Sequence, residues 1–230
     1  MDNKITIIIC VTDLEILEKC KGQINTLNIP PSFRVTVDII TDAASMCEGY
    51  NRAMERNDAK YKIYIHQDTL LIHENILYEV TGLFEKNKNL GMIGVVGTIK
   101  LPKNGYWWDG PRVGHVIEYR DNKFKHWNPT MDDAPNSPHG FIPVQAVDGL
   151  FMATQYDIPW QEGIFTGFHF YDVAQSQEFI RAGFEVGVPT RERPWCIHYD
   201  VDHVNWRDFE KYRKKFLDEY GGGLDNEKNN

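Results

Sequence analysis

Lys4-Ile5-Thr6-Ile7-Ile8-Ile9-Cys10-Val11 is a nearly unbroken β-branched and apolar run, followed by Thr12-Asp13. A strand with one wet face alternates apolar with polar residues, whereas a run without alternation reads as a strand buried on both faces. Asp13 stands where the N-cap of a following helix is expected. Strand, cap and helix in that order are the opening of a βαβ unit.

The pattern repeats outward from there. The helix extends to about Leu27, Pro30 and Pro31 break it, and Arg34 to Thr41 alternates as a second strand through Val35, Val37 and Ile39. Ala43 to Arg56 resumes helical spacing with Met46, Tyr50 and Met54, and Tyr61 to His66 is a third strand. Glu74 to Lys88 forms a helix with Ile76, Leu77, Val80, Leu83 and Phe84 on one side, and Gly91 to Gly97 a short glycine-rich strand. Strands alternating with helices, joined by right-handed crossovers, give an α/β fold with a mostly parallel central sheet and helices on both faces. Ligands bind such sheets at the carboxyl ends of the strands, which singles out Thr12 and Asp13, Asp42, and His66-Gln67-Asp68.

After Gly97 the character changes. Lys100 to Pro143 carries several prolines, three tryptophans and a hairpin of Val116 to Tyr119 against Phe124 to Trp127 around Asp121-Asn122. Irregular stretches this long inside a compact domain are functional or mobile. Regular structure returns with Val144 to Thr154, a helix from Asp172 to Ala182 ending at Gly183, and strands Glu185 to Val188 and Cys196 to Tyr199. A last helix from Trp206 to Tyr220 is expected to stop at Gly221-Gly222-Gly223, leaving 221–230 as a flexible tail.

The 230 residues, 42% of them hydrophobic, suit one domain with a sizeable core. A net charge of -8 argues against nucleic acid as a partner, since such faces need clustered Lys and Arg. The basic trio Arg213-Lys214-Lys215 lies among Glu210, Asp218 and Glu219 and reads as a solvated helix face. An acidic protein that takes an anionic ligand must do so locally, with a metal or a few donors. Cys10, Cys20, Cys47 and Cys196 show neither CxxC nor zinc spacing and read as buried free thiols. The apolar run Ile5 to Val11 falls far short of the roughly 20 residues a transmembrane helix needs, and Asp13 and Glu15 disfavour a signal peptide. A cytoplasmic location is expected; a homodimer is left open.

Chemistry concentrates at a few points. In Ile63-Tyr64-Ile65-His66-Gln67-Asp68 a strand runs into an imidazole and a carboxylate two residues apart, on one side if the strand continues. Such ligands suit Mg²⁺ or Mn²⁺; the plainer reading is that Asp68 caps a turn and His66 is a satisfied strand-end residue. Asp172 could serve as a general base toward a hydroxyl, or with Gln175 could form a capping box at the start of its helix. His198, followed by Asp200, Asp202 and His203, could return a late ligand to a metal placed by Asp68, or be structural. Asp148-Gly149 interrupts an apolar run, as at a close approach of ligand or backbone, or at a bulge. Trp107, Trp108, Trp127, Trp160 and Tyr171 offer rings for stacking on sugars or for the core. There is no GxGxxG after the first strand, no GxxxxGK[ST] loop, no HExxH and no GxSxG.

The ordered set Ile7-Ile8-Ile9-Cys10-Val11, Tyr50-Asn51, Ile65-His66-Gln67-Asp68, Val147-Asp148-Gly149, Gly167-Phe168-His169-Phe170-Tyr171-Asp172 and Ile197-His198 resembles the family-2-like glycosyltransferases with the A-type nucleotide-sugar fold (GT-A). The matching group reads His-Gln-Asp in place of Asp-x-Asp. The resemblance implies a metal-dependent, inverting transfer of a sugar from a nucleoside-diphosphate donor to a hydroxyl of a glycan or small molecule. It implies Asp68 and His198 as ligands of Mn²⁺ or Mg²⁺, Asp172 as the base, and Thr12, Asp42, Asn51, His66, Asp148, Gly149 and His169 as substrate-binding. Residues 1–97 would form a nucleotide-binding half and 98–220 an acceptor half with the C-terminal helix. His66 in place of the first aspartate and Tyr171 in place of a common glutamate are departures. They motivate a second reading, a catalytically silent nucleotide-sugar or glycan-binding module of the same fold. A metal-dependent phosphoesterase or nucleotidyltransferase is a third, which lacks a second carboxylate cluster.

Overall fold

A computed structural model describes residues 3–129, 137–191, 193–199 and 204–224. The opening run forms β1 (Lys4–Cys10), in which Ile5, Thr6, Ile7, Ile8 and Ile9 are all buried, so both faces of the sheet are covered there. Asp13 caps α1 (Leu14–Ile24), its Oδ1 accepting from the N–H groups of Glu15 and Ile16 at 2.8 and 3.1 Å. A cap of this kind stabilises a helix by about 1 kcal/mol. There follow β2 (Arg34–Ile40), α2 (Met46–Arg56) capped by Ser45, β3 (Tyr61–His66), β4 (Thr69–Leu71), α3 (Ile76–Lys86) and β5 (Leu90–Gly94).

The second half contributes β6 (Val96–Thr98), a tight helical turn over Trp107–Asp109, β7 (Arg112–Gly114), β8 (Val116–Arg120), β9 (Lys123–Trp127), β10 (Phe141–Pro143), β11 (Ala146–Val147) and β12 (Phe151–Thr154). It ends with α4 (Tyr171–Arg181), β13 (Glu185–Pro189), β14 (Cys196–Tyr199) and α5 (Trp206–Leu224). The hairpin of β8 and β9 turns on Asp121 and Asn122, both at positive φ, as a two-residue turn of matching twist requires.

Seven strands make the central sheet, in the spatial order β10, β13, β5, β12, β3, β1, β2. β1, β2, β3, β5 and β13 run one way; β12 and β10 run against them. The expected mostly parallel α/β sheet is therefore present, with β12 inserted between β3 and β5.

Two expected strands are each divided between sheets. Gly91 to Gly97 splits into β5 of the central sheet and β6 of a small sheet with β7 and β11. Val144 to Thr154 splits likewise into β11 and β12, with Asp148-Gly149 at the crossing. An unbroken apolar run carries no mark of where the chain leaves one sheet for the next. The last helix also differs, running past Gly221 to Leu224. Glycine costs a helix about 1 kcal/mol relative to alanine and does not forbid it. The rest of the expected tail, 225–230, lies outside the described residues.

A third sheet, β4-β14-β8-β9, leans on the carboxyl end of β3. β14 pairs antiparallel to β4, with His198 opposite Thr69, and the Tyr199 N–H donates to the Asp68 carbonyl at 2.8 Å. This pairing brings a strand from late in the chain alongside the residue that ends the His66-Gln67-Asp68 turn.

Candidate active site

A cavity of about 640 Å³ opens over the carboxyl ends of β1 and β3, where the rule for parallel sheets expects it. Its floor is the turn after β3. His66 Nδ1 lies 3.9 Å from Asp68 Oδ1, and His198 Nε2 lies 3.5 Å from Asp68 Oδ2. Between them Gln67 turns away: its Oε1 accepts from the backbone N–H groups of Thr12 and Asp13, and its Nε2 donates to the Thr12 hydroxyl. Gln67 thereby ties the end of β3 to the loop after β1 and fixes the turn that presents its two neighbours. The sequence singled it out only by position; its clamp on the first loop is a tertiary fact.

His66, Asp68 and His198 each offer one ligand atom, and these atoms lie within 4.8 Å of one another. Asp68 is buried, and its Oδ1 has no hydrogen-bond partner. An orphaned buried carboxylate oxygen is costly, so its orientation toward two imidazoles fits a divalent cation held by one oxygen and two nitrogens. Burial by itself would raise the Asp68 carboxyl, but the hydrogen bond and charge of His198, with the charge of His66, outweigh it and hold the group below its ordinary range. The carboxylate is thus kept ionised, as a ligand must be.

Across the cavity α4 begins abruptly. Phe170, just before the helix, sits at φ 63°, a left-handed conformation that is uncommon for a bulky residue and that surrounding structure must enforce. Its buried ring packs against Phe209 and Phe216 of α5. The turn aims Tyr171 and Asp172 inward. The Tyr171 hydroxyl meets His66 Nε2, and Asp172 Oδ2 accepts the Gly149 N–H at 2.9 Å. The capping box expected of Asp172 and Gln175 does not form: Asp172 is already inside the helix, and Gln175 donates instead to the Ile158 carbonyl. Burial, and then the charge of Asp148, push the Asp172 carboxyl up to about 7. Asp148 itself accepts the Leu150 N–H and lines the cavity.

The other predicted residues separate into two groups. Thr12 and His169 line the cavity, and burial lowers the pKa of His169. Gly149 lies against the Tyr171 phenol and is not among the residues that line the cavity. Asp42 and Asn51 do not line the cavity. Asp42 pairs with Arg52 at 2.6 Å while its neighbours Thr41 and Ala43 face the cavity, and Asn51 is engaged by the Trp160 backbone and Glu162. Strand-end position alone could not say which way either side chain turns. Asp200, Asp202 and His203 lie outside the described residues.

Of the expected ring platforms, Trp107 and Trp108 line the cavity, whereas Trp160 is buried against Tyr50 and Tyr64. The most exposed rings at the mouth are two that were not among the expected platforms, Phe168 at 50% and Trp206 at 60%. A large exposed aromatic is the signal they carry, and it requires the fold to be seen. Arg120 is the single Arg or Lys among the described residues that line the cavity, against the carboxylates of Asp68, Asp148 and Asp172.

The glycosyltransferase-like family model matches residues 6–220 of the chain. No curated protein sequence matches it. Among solved structures, the mannosyltransferase PcManGT from Pyrobaculum calidifontis, in complex with GDP-Man and Mn²⁺, superposes with a TM-score of 0.60 at 8% identity, over 98% of this chain and 65% of that one. S. aureus TarS 1-349 gives 0.51 at 7% identity, over 95% and 72%. The same TarS segment in complex with UDP gives 0.50 at 9% identity, over 93% and 65%. At these identities the likeness is one of fold, and this chain spans about two-thirds of the length of each.

Proposed function

The chain belongs to the glycosyltransferase-like family and is a glycosyltransferase of the GT-A fold, and from that premise we propose that it moves a sugar from a nucleoside-diphosphate donor to a hydroxyl acceptor with inversion. The observation that carries the reading is the meeting, in one cavity, of the His66, Asp68 and His198 cluster with Asp172.

His66, Asp68 and His198 would hold the divalent cation, which as a Lewis acid supplies stabilisation of the charge on a departing diphosphate. The charge balance supports this, because three carboxylates and one arginine otherwise repel an anionic donor. Gln67 holds the turn that carries two of the ligands. Asp172 accepts the proton of the acceptor hydroxyl, and a carboxyl raised to about 7 is a stronger base than an ordinary aspartate while still ionised in good part near neutrality. The Gly149 N–H orients that carboxylate. Phe168, Trp206 and Trp108 at the mouth present apolar faces suited to an acceptor ring.

In this reading residues 1–97 bind the donor and 98–220 the acceptor. GDP-Man and UDP, bound by the structural relatives, are the first donors to try. No described helix is long and apolar enough to cross a membrane. The cysteines are free thiols, three of them buried, and we assign the chain to a reducing, cytoplasmic setting. Calorimetry with GDP and UDP, with and without Mn²⁺, together with a product assay, tests the whole. Cation-dependent nucleotide binding with transfer is expected; binding with neither transfer nor donor hydrolysis would identify a silent module.

A further inference from the structure

We propose that Tyr171 is a positioning residue for the cation cluster, its hydroxyl holding the His66 ring so that Nδ1 is the nitrogen presented to the cation. This rests on the reading that His66, Asp68 and His198 bind one. The two ring nitrogens of His66 face different partners: Nε2 meets the Tyr171 hydroxyl, and Nδ1 faces Asp68 Oδ1 at 3.9 Å. A neutral imidazole has one N–H and one lone pair. A cation at Nδ1 needs the lone pair there, so the ring proton resides on Nε2, where the tyrosine oxygen accepts it. Partners of this kind fix the tautomer and orientation of a ligating histidine.

The surroundings of Tyr171 are built to hold that hydroxyl in place. Its ring is buried, with Tyr50 and Trp160 at centroid distances of 5.9 and 6.2 Å. The hydroxyl passes directly over Gly149, where a Cβ would collide with it. The same glycine donates its N–H to Asp172. Gly149 thus serves two successive residues of α4, leaving room for the first and tethering the second, which gives the Asp148-Gly149 interruption a physical reason. Phe170 at positive φ supplies the turn that aims both. A phenylalanine at 171 would fill the same space, so packing alone does not call for the oxygen.

Tyr171→Phe removes that oxygen and keeps the ring. Calorimetric titration of the full chain with Mn²⁺ is expected to show affinity about 10- to 100-fold weaker than the parent, the range typical of losing a partner behind a ligand. Gly149→Ala keeps the phenol but crowds its hydroxyl and should weaken Mn²⁺ binding in the same direction. ¹⁵N NMR of the Mg²⁺-loaded parent should show His66 bare at Nδ1 and protonated at Nε2. Equal Mn²⁺ affinity in the parent and Tyr171→Phe overturns the proposal and leaves the cation reading standing. A proton on Nδ1 in the loaded parent overturns it without any variant. A parent that binds no Mn²⁺, even with a nucleoside diphosphate present, overturns both.

Discussion

The end of β3 and the start of α4 each deliver an aspartate to the same cavity, with opposite properties. Asp68 is buried next to two imidazoles, which hold its carboxyl low against the cost of burial. Asp172 is placed beside another carboxylate, Asp148, so burial and like charge outweigh the backbone N–H groups that favour its ionised form, Gly149's among them, and its carboxyl rises to about 7. In the proposed function these identical side chains would do unlike work, one staying ionised to bind, the other taking up a proton near neutral pH. The neighbours, and not the residue type, decide which is which.

The contrast is most readily broken at Asp68. Asp68→Asn should weaken Mn²⁺ binding by more than ~100-fold and abolish measurable transfer, because it leaves two imidazoles without the charged ligand between them; calorimetry and a product assay check both. Asp172→Asn should lower kcat by about 10²–10⁴ while the donor KM stays within about threefold, the signature of a lost base and not of lost binding.

The same substitution sharpens the comparison through stability. A carboxyl whose folded pKa lies above its free value of 3.8 favours folding when protonated, and that contribution is complete below pH ~4 and lost as pH rises through about 7. Asp172→Asn should therefore melt higher than the parent at pH 8 and gain less at pH 5, as scanning calorimetry would show. In the parent, kcat/KM should climb about tenfold per pH unit below about 7 and level off above it. A profile flat from pH 5 to 8 would remove Asp172 from the role.

Smaller effects test the margins of the cavity. Phe168→Ala or Trp206→Ala should raise the acceptor KM by about 2- to 10-fold, the worth of one stacked ring, with donor affinity unchanged. Asp42→Ala should leave donor affinity within about twofold, since its carboxylate engages Arg52 outside the cavity.

The first half of the fold was legible because its signals are local. The β-branched run of β1, the Asp13 cap and the alternation through β5 each depend on neighbours within a few residues, and the structure has them nearly where they were expected. The second half was legible only in parts, such as the Asp121-Asn122 turn. Strands of two or three residues, β4, β6, β7, β10 and β11, are too short to show a period, and most of their partners lie far away in sequence.

The sequence by itself determined the α/β sheet, the strand-end location of a site and the chemical types available there, because periodicity and capping are encoded in adjacent residues. Tertiary structure alone decided which of those residues meet. His198 approaches Asp68 because β14 pairs with β4, Gln67 turns to the first loop, Tyr171 reaches His66 over Gly149, and Asp42 and Asn51 turn elsewhere. Side-chain direction and electrostatic environment arise from contacts between segments distant along the chain, and no local pattern records them.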